Sequence, residues 1–402
     1  MGRRVALVTS SYHPHLGGVE SHVRNVAREL RARGTDVEVW TVDRSERAAE
    51  RVGVTGLDGI VVRHLPTPMP ARSAAALTRF AVAAPRAWRA WREAFRTFQP
   101  DVLHIQCFGP NGPYAAALAR HTGTPLVLSA HGETFMDDHD VFGSSALMRE
   151  GLRRAIASAA VTTGCSEQVL ADLRGRFGLE GGVVVPNGVG PAPVVPAQGT
   201  TPEDVDLPDV PVVFGVGRLE SSKGFDLLVE AVATMSGDPS PHLVIGGVGS
   251  QRDALISLGE RLGLGERLRL LGPLDEAGVH AWMRRADVVV MPSRKEAFGI
   301  VALEAWRAGT PLVATTLGGP ASFVTDGVDG FLVDPVNTAA LAQTVESVLR
   351  DPALGTSIGA AGQAAALRYS WRAVAASYGA IYANLTPDQR RAGWRPRGRG
   401  RR

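Results

Sequence analysis

The chain has 402 residues, 45% of them apolar and 21% charged, with a formal net charge of +3. That length allows two or three domains with separate cores, and the balance is that of an ordinary globular protein, not of a disordered, collagen-like or membrane-embedded one. Two cysteines, Cys107 and Cys165, without metal-ligand spacing around either, give no disulfide framework and point to a reducing, cytoplasmic setting.

In chain order, Arg3-Arg4 precede an apolar run of only four residues, 5–8, too short for a signal-peptide core. It reads as the first strand of a parallel sheet. No apolar stretch approaches the roughly 18 residues of a spanning helix, so any membrane contact is expected from the surface. After a short loop come Leu16-Gly17-Gly18-Val19-Glu20, whose glycines allow the backbone to approach a phosphate or sugar at a helix N-terminus, although such a pair also makes a plain turn.

Apolar strands then alternate with helical patterns, the mark of a doubly wound α/β architecture. Strands are expected at 5–9, 37–41, 60–64, 102–105, 126–129, 161–164 and 183–185. Helices are expected at about 20–33, 73–84, 85–98, 112–121, 146–158 and 166–176. Pro85 suits a first helical turn, which separates 85–98 from the helix before it. On a wheel, Trp88, Trp91, Phe95 and Phe98 fall within an arc of about 80°, with Arg86, Arg89, Arg92 and Arg96 outside it. Such a basic amphipathic helix either packs its aromatic stripe on the sheet with solvated arginines or docks on an anionic membrane. Ser129-Ala-His131-Gly132-Glu133 follows the fifth strand, and Val185-Pro-Asn187-Gly188-Val189 is a good turn. The Pro-, Gly- and acid-rich stretch that follows reads as an interdomain linker.

The scheme repeats with strands at 212–216, 242–246, 268–271, 288–291, 312–315 and 330–333. Two such sheets would bind ligands at their strand carboxyl ends. The loop after 212–216 carries Arg218 and Lys223, a planar fork and a point charge suited to a diphosphate. Gly246-Gly247-Val-Gly249-Ser250 does not complete a dinucleotide fingerprint, which disfavours a dehydrogenase. Glu296 lies in a loop after 288–291, and Gly299 opens a helix over 300–308 that Gly309 and Pro311 end. The free N–H groups at Gly299, Ile300 and Val301 favour an anion. Glu304 is placed to accept from a ribose diol and Glu296 from sugar hydroxyls. Seven arginines and no acid follow Asp388 in a Gly- and Pro-interrupted tail expected to be disordered, and nucleic acid is not an expected partner.

On Glu296-x7-Glu304 and Gly217-Arg218-Leu-x3-Lys223-Gly224, the chain resembles the family 4 glycosyltransferases of the GT-B fold, two Rossmann-like domains, over about residues 5–382. The domains are expected at 1–190 and 211–368, with a linker at 191–210, a helix at 369–388 returning to the first domain and a basic tail at 389–402. The resemblance implies transfer of a hexosyl group, with retention, from a nucleoside-diphosphate sugar to a hydroxyl acceptor: a glycolipid, a polysaccharide intermediate or a small polyol. It implies that Gly17 and Gly18 approach the donor pyrophosphate and the acceptor, and that His131 contacts the donor sugar near the reacting carbon. Glu133, Asp137, Asp138 and His139 are candidates for the acceptor pocket.

Arg218, Lys223 and the helix N-terminus are expected to stabilise the leaving diphosphate, so neither a metal nor a cofactor beyond the donor is expected. The sequence departs from the family at His13, where a proline is common, and at Gly190, where an aspartate is usual. The alternative is a non-catalytic sugar-nucleotide-binding or membrane-associated protein of the same fold, which the intact Arg218, Lys223 and Glu296 argue against.

Overall fold

The computed structural model describes residues 2–12, 17–42, 53–71, 73–136, 140–194, 197, 199–236 and 239–385. His13, Asp137, Asp138, His139 and the tail at 389–402 lie outside the described residues. The chain forms two compact units, one built from residues 1–187 together with 371–402 and the other from 188–370.

Unit 1 holds an eight-stranded sheet: β1 (Arg4–Thr9), β2 (Asp36–Thr41), β3 (Gly53–Leu57), β4 (Ile60–His64), β5 (Val102–Gln106), β6 (Leu126–Ala130), β7 (Val161–Gly164) and β8 (Val183–Val184). Their spatial order is β3-β4-β2-β1-β5-β6-β7-β8, and only β3 runs antiparallel to its neighbour. Helices cover such parallel strands on both faces, so these read as unbroken apolar runs. Val5, Leu7, Val39, Val102 and Val127 meet Val23, Val26 and Leu30 of the helix Gly18–Ala32 in one cluster. The helix Trp371–Asn384 adds Trp371, Val374, Ala375, Tyr378 and Tyr382 to that same cluster.

Unit 2 holds six parallel strands: β9 (Val212–Val216), β10 (His242–Gly246), β11 (Leu268–Gly272), β12 (Val288–Met291), β13 (Leu312–Thr315) and β14 (Phe331–Val333). Their order is β11-β10-β9-β12-β13-β14. Counted within the unit this is 3-2-1-4-5-6, the doubly wound nucleotide-binding order, whose chain reverses direction across the sheet between β9 and β12. The equivalent reversal in unit 1 lies between β1 and β5. The core of unit 2 joins Val213, Ile245, Val290 and Val313 to Leu228 and Val232 on one helix and to Leu341 and Val345 on another.

Three expectations are corrected. The two helices at 73–84 and 85–98 are one, Ala74–Phe98, with Pro85 inside. Proline removes a single donor, and Pro85 and Ala81, whose carbonyl loses that donor, are both exposed, so water can replace the bond. Trp91 holds the second half, donating from its indole to the Pro66 carbonyl at 3.0 Å and stacking on Tyr114. Ser73 caps the first half.

The stretch expected as a linker belongs to unit 2, and the chain crosses between units at 187/188 and again at 370/371. It is packed there because the indole of Trp282 donates to the Thr200 carbonyl at 2.9 Å and Arg307 donates to the Pro191 carbonyl.

Strand β3 was not expected at all. Its signal was Asp58-Gly59, both at positive φ, which join β3 to β4 in a two-residue hairpin.

Candidate active site

In unit 2 the loops after β9 and β12, on either side of the reversal, are tied together. Arg294 gives both ends of its guanidinium to the Asp226 carboxylate at 2.7 and 2.6 Å and a third hydrogen bond to the Ser221 carbonyl. Its backbone N–H donates to the Ser222 carbonyl. Lys223 ends a short 3-10 turn, Ser221–Lys223, and Gly224 follows at φ +68. A Cβ on Gly224 would stand 2.0 Å from the Pro292 carbonyl oxygen, so only glycine lets the two loops meet this closely.

The result is an ion pair between residues that the sequence reading assigned separate tasks. Lys223 Nζ lies 2.7 Å from Glu296 Oε2, and the Ser293 hydroxyl donates to the same oxygen at 3.2 Å. Glu296 is buried, and its carbonyl accepts from the Gly319 N–H, which fixes the loop. Immediately beyond, Gly299 starts the helix Ile300–Ala308, so the first-turn N–H groups of Ile300 and Val301 open beside this pair in sequence. Gly309 ends that helix in the left-handed conformation, as expected from sequence. Glu304 is partly buried, and burial raises its carboxyl above the ordinary range, opposed by the charge of Arg307. Arg218, in the β9 loop, is exposed.

The Gly246–Gly249 segment has a packing task. A Cβ on Gly247 would stand 1.8 Å from the Gly217 carbonyl oxygen, and Leu219 donates to the Val248 carbonyl at 2.8 Å. Ser250 donates through both its backbone and its hydroxyl to the Glu220 carboxylate. The β10 loop therefore supports the loop that carries Arg218.

In unit 1 the candidates again sit at strand carboxyl ends. Gly17 precedes and Gly18 begins the helix after β1, both exposed. His131 follows β6, its ring partly exposed, with Nε2 2.9 Å from the Gln106 side-chain oxygen and its ring centroid 4.6 Å from that of His22. Burial pulls the His131 imidazole down to about 4, so it is neutral at physiological pH.

Glu133, expected at the acceptor pocket, makes bracing hydrogen bonds in this loop. Its two carboxylate oxygens accept the backbone N–H groups of Phe108 and His131 at 2.8 and 2.7 Å, which braces the β6 loop against the β5 loop. Burial raises this carboxyl, an effect those hydrogen bonds oppose. Asp140 caps the short helix Val141–Ser144.

Sequence reasoning passed over Ser293, His22, Gln106 and Tyr378. His104, Gln106, Ser129 and Thr163 were a usable signal: polar side chains in strands otherwise apolar on both faces must find partners inside.

Among the described residues no helix is long and apolar enough to cross a membrane. On the helix Ala74–Phe98, Trp91 and Phe98 are buried while Arg86, Arg89 and Arg96 are exposed, so the aromatic stripe packs inward and the arginine face is open.

Two family profiles cover most of the chain: "Glycosyltransferase Family 4" over residues 16–192 and "Glycosyl transferases group 1" over residues 201–365. The D-inositol 3-phosphate glycosyltransferase of Streptomyces avermitilis is 30% identical, aligning 97% of this chain with 89% of that protein. The phosphatidyl-myo-inositol mannosyltransferase of Mycobacterium leprae is 32% identical over 91% of this chain and 92% of that one. Among solved structures, sucrose-phosphate synthase from Thermosynechococcus elongatus superposes with a TM-score of 0.77 at 22% identity, over 95% of this chain and 98% of that chain. With identity of this order sustained from end to end and the same two sheets in sequence, the chain belongs to glycosyltransferase family 4: it is a GT-B enzyme that moves a sugar from a nucleotide-sugar donor to a hydroxyl acceptor.

Proposed function

We propose that the transfer retains the configuration at the anomeric carbon, needs no divalent cation and delivers a hexose to a polyol, a polyol phosphate or a lipid that carries one. The observation that carries this reading is the Lys223–Glu296 pair at the β9 and β12 ends, beside the start of the helix Ile300–Ala308. An arriving diphosphate competes with Glu296 for the Lys223 ammonium. The carboxylate, an acceptor only, then turns to sugar hydroxyls. Arg218 and the first-turn N–H groups add positive charge where the leaving group gains negative charge, which supports departure without a metal. Glu304 takes the ribose diol. The acceptor oxygen attacks on the face that the diphosphate leaves: its bond to the anomeric carbon forms as the bond to the phosphate oxygen breaks, and that oxygen takes the acceptor proton.

The acceptor class follows the names of the relatives, which act on inositol 3-phosphate and on phosphatidyl-myo-inositol. A panel of nucleotide sugars with inositol phosphates and lipid-linked inositols, read by nucleoside diphosphate release, tests donor and acceptor. NMR of the product's anomeric proton tests retention, and activity surviving excess chelator tests metal independence. An inverted product, or activity abolished by chelator and restored by magnesium, overturns the corresponding part.

The exposed face of Arg86, Arg89 and Arg96 supports electrostatic docking on an anionic membrane at the cytoplasmic surface, each arginine gaining roughly 1 kcal/mol near it. The protein is expected to co-sediment with anionic vesicles at low salt, to be released at high salt, and to lose binding when the three arginines become glutamine. No binding at low salt removes the membrane from the reading.

A further inference from the structure

Unit 1 contains a closed set of buried polar side chains around His131 that the reaction chemistry above does not use. Gln106, fully buried in β5, presents its side-chain oxygen to His131 Nε2 at 2.9 Å. Its amide nitrogen lies 3.3–3.4 Å from the ring nitrogens of His104. His104 bonds on one side to the Tyr382 hydroxyl at 2.6 Å and on the other to Ser129 Oγ at 2.7 Å. Ser129 Oγ also meets Thr163 Oγ1 at 2.6 Å and the Tyr378 hydroxyl at 3.2 Å. Tyr378 continues to His22 Nε2 at 3.3 Å, and His22 Nδ1 ends the chain on the Asn187 side-chain oxygen at 2.7 Å. The His22 ring stands edge-on to His131, at 67° between planes.

The hydrogen bonds set the protons. Asn187 offers His22 an oxygen, so Nδ1 carries the hydrogen and Nε2 accepts from Tyr378. Gln106 offers His131 an oxygen, so Nε2 carries the hydrogen and Nδ1 is left as the one lone pair of a neutral ring.

We propose that Gln106 and His22 are positioning residues that hold His131 as a hydrogen-bond acceptor, through Nδ1, for a substrate hydroxyl. The inference rests on the reading of His131 as the sugar-facing residue. Gln106 fixes which nitrogen is protonated. His22, pinned by Asn187 and Tyr378, fixes the plane of the ring. Titratable neighbours of His131 among the described residues include His22 from the first helix and His104 from β5, and Glu133 from its own loop accepts its backbone N–H. Among the described residues the ring bonds to a neutral partner, the Gln106 amide.

The test compares kcat and KM across pH for the wild type, Gln106→Ala, Gln106→Glu, His22→Phe and His131→Ala, each checked for native circular dichroism. Gln106→Ala and His22→Phe are expected to lower kcat roughly 10-fold or more with donor KM changed less than about threefold, as a misoriented group does. Gln106→Glu sets a carboxyl against Nε2. Ionised, it raises the affinity of His131 for a second proton, so the rate climbs with pH between 5 and 8 where the wild type is flat. A purely structural role would not produce that limb.

In the intact wild type, 15N spectra of labelled histidine, assigned with His131→Ala, are expected to show His131 with Nε2 protonated and Nδ1 bare. The opposite tautomer overturns the inference. So does wild-type kcat in Gln106→Ala when His131→Ala has lost turnover, an outcome that leaves the role of His131 standing. Wild-type turnover in His131→Ala removes that role, and the inference with it.

Discussion

Lys223 and Glu296 share one ion pair, so a substitution at either leaves the other charge partly buried without its partner. Glu296→Gln keeps the shape, removes the carboxylate and releases the ammonium. Affinity for free nucleoside diphosphate is therefore expected to hold or rise, while turnover with the full donor falls. Glu304→Ala, which removes the ribose contact, is expected to weaken nucleoside diphosphate and donor alike. Calorimetry on both variants decides, and equal loss of nucleoside diphosphate affinity in the two would contradict the assigned roles. Arg218→Ala should lower kcat by roughly 10² because it takes away a charge aimed at the leaving group. Near wild-type turnover at saturating donor would take Arg218 out of the site. The residue types at these positions were legible from charge and motif spacing. Their pairing was not, because nothing local in sequence shows that 223 and 296 meet.

At the level of elements, Gly224 is where two loops touch. Gly224→Ala adds a Cβ against the Pro292 carbonyl at a positive φ, and backbone strain of this kind costs about 1–3 kcal/mol. A lower melting temperature together with weaker nucleoside diphosphate binding is expected. Loss of stability alone would mean that the loop contact does not set the position of Lys223. Strand placement was readable almost throughout, β9, β10, β12 and β13 to the residue, since strands buried on both faces leave an unbroken apolar signature. The helix through Pro85 was not readable: local propensity marks a break there, and the packing of Trp91 overrides it. The bracing role of Glu133 was not readable for a related reason, since an acid in a loop looks solvated until the backbone N–H groups it serves are in place.

For the molecule as a whole, three histidines whose pKa the fold lowers, His22, His104 and His131, make stability depend on pH. Burial lowers His131 to about 4 and His104 to about 3, and pulls His22 well below its ordinary value. The unfolded chain binds protons near 6.5, so stability is complete above that pH and falls as the pH drops toward these folded-state values. Each histidine contributes at most about 1.4 kcal/mol per pH unit within its window. Glu133 and Glu304, raised by burial, act in the opposite sense just above 4.5 and offset part of the loss. Urea titrations at about pH 8.5, 7.5 and 5 are expected to give a midpoint that holds between the first two and falls at the third. A midpoint constant down to pH 5 would show that the histidines are not held neutral by the fold.

The return of the helix Trp371–Asn384 to the core of unit 1 also has a consequence for synthesis on the ribosome. Unit 2 is one continuous segment, 188–370, and has every strand it needs once that segment has emerged. Unit 1 must wait for Trp371, Val374, Tyr378 and Tyr382, which are among the last residues described. Until they arrive, Val23, Val26 and Leu30 have an uncovered neighbour, and the His22 and His104 rings lack the hydroxyls that satisfy them. Domains made first ordinarily fold first. Here the second unit can be complete while the first is still open, which makes the nascent N-terminal half the part most in need of protection from aggregation.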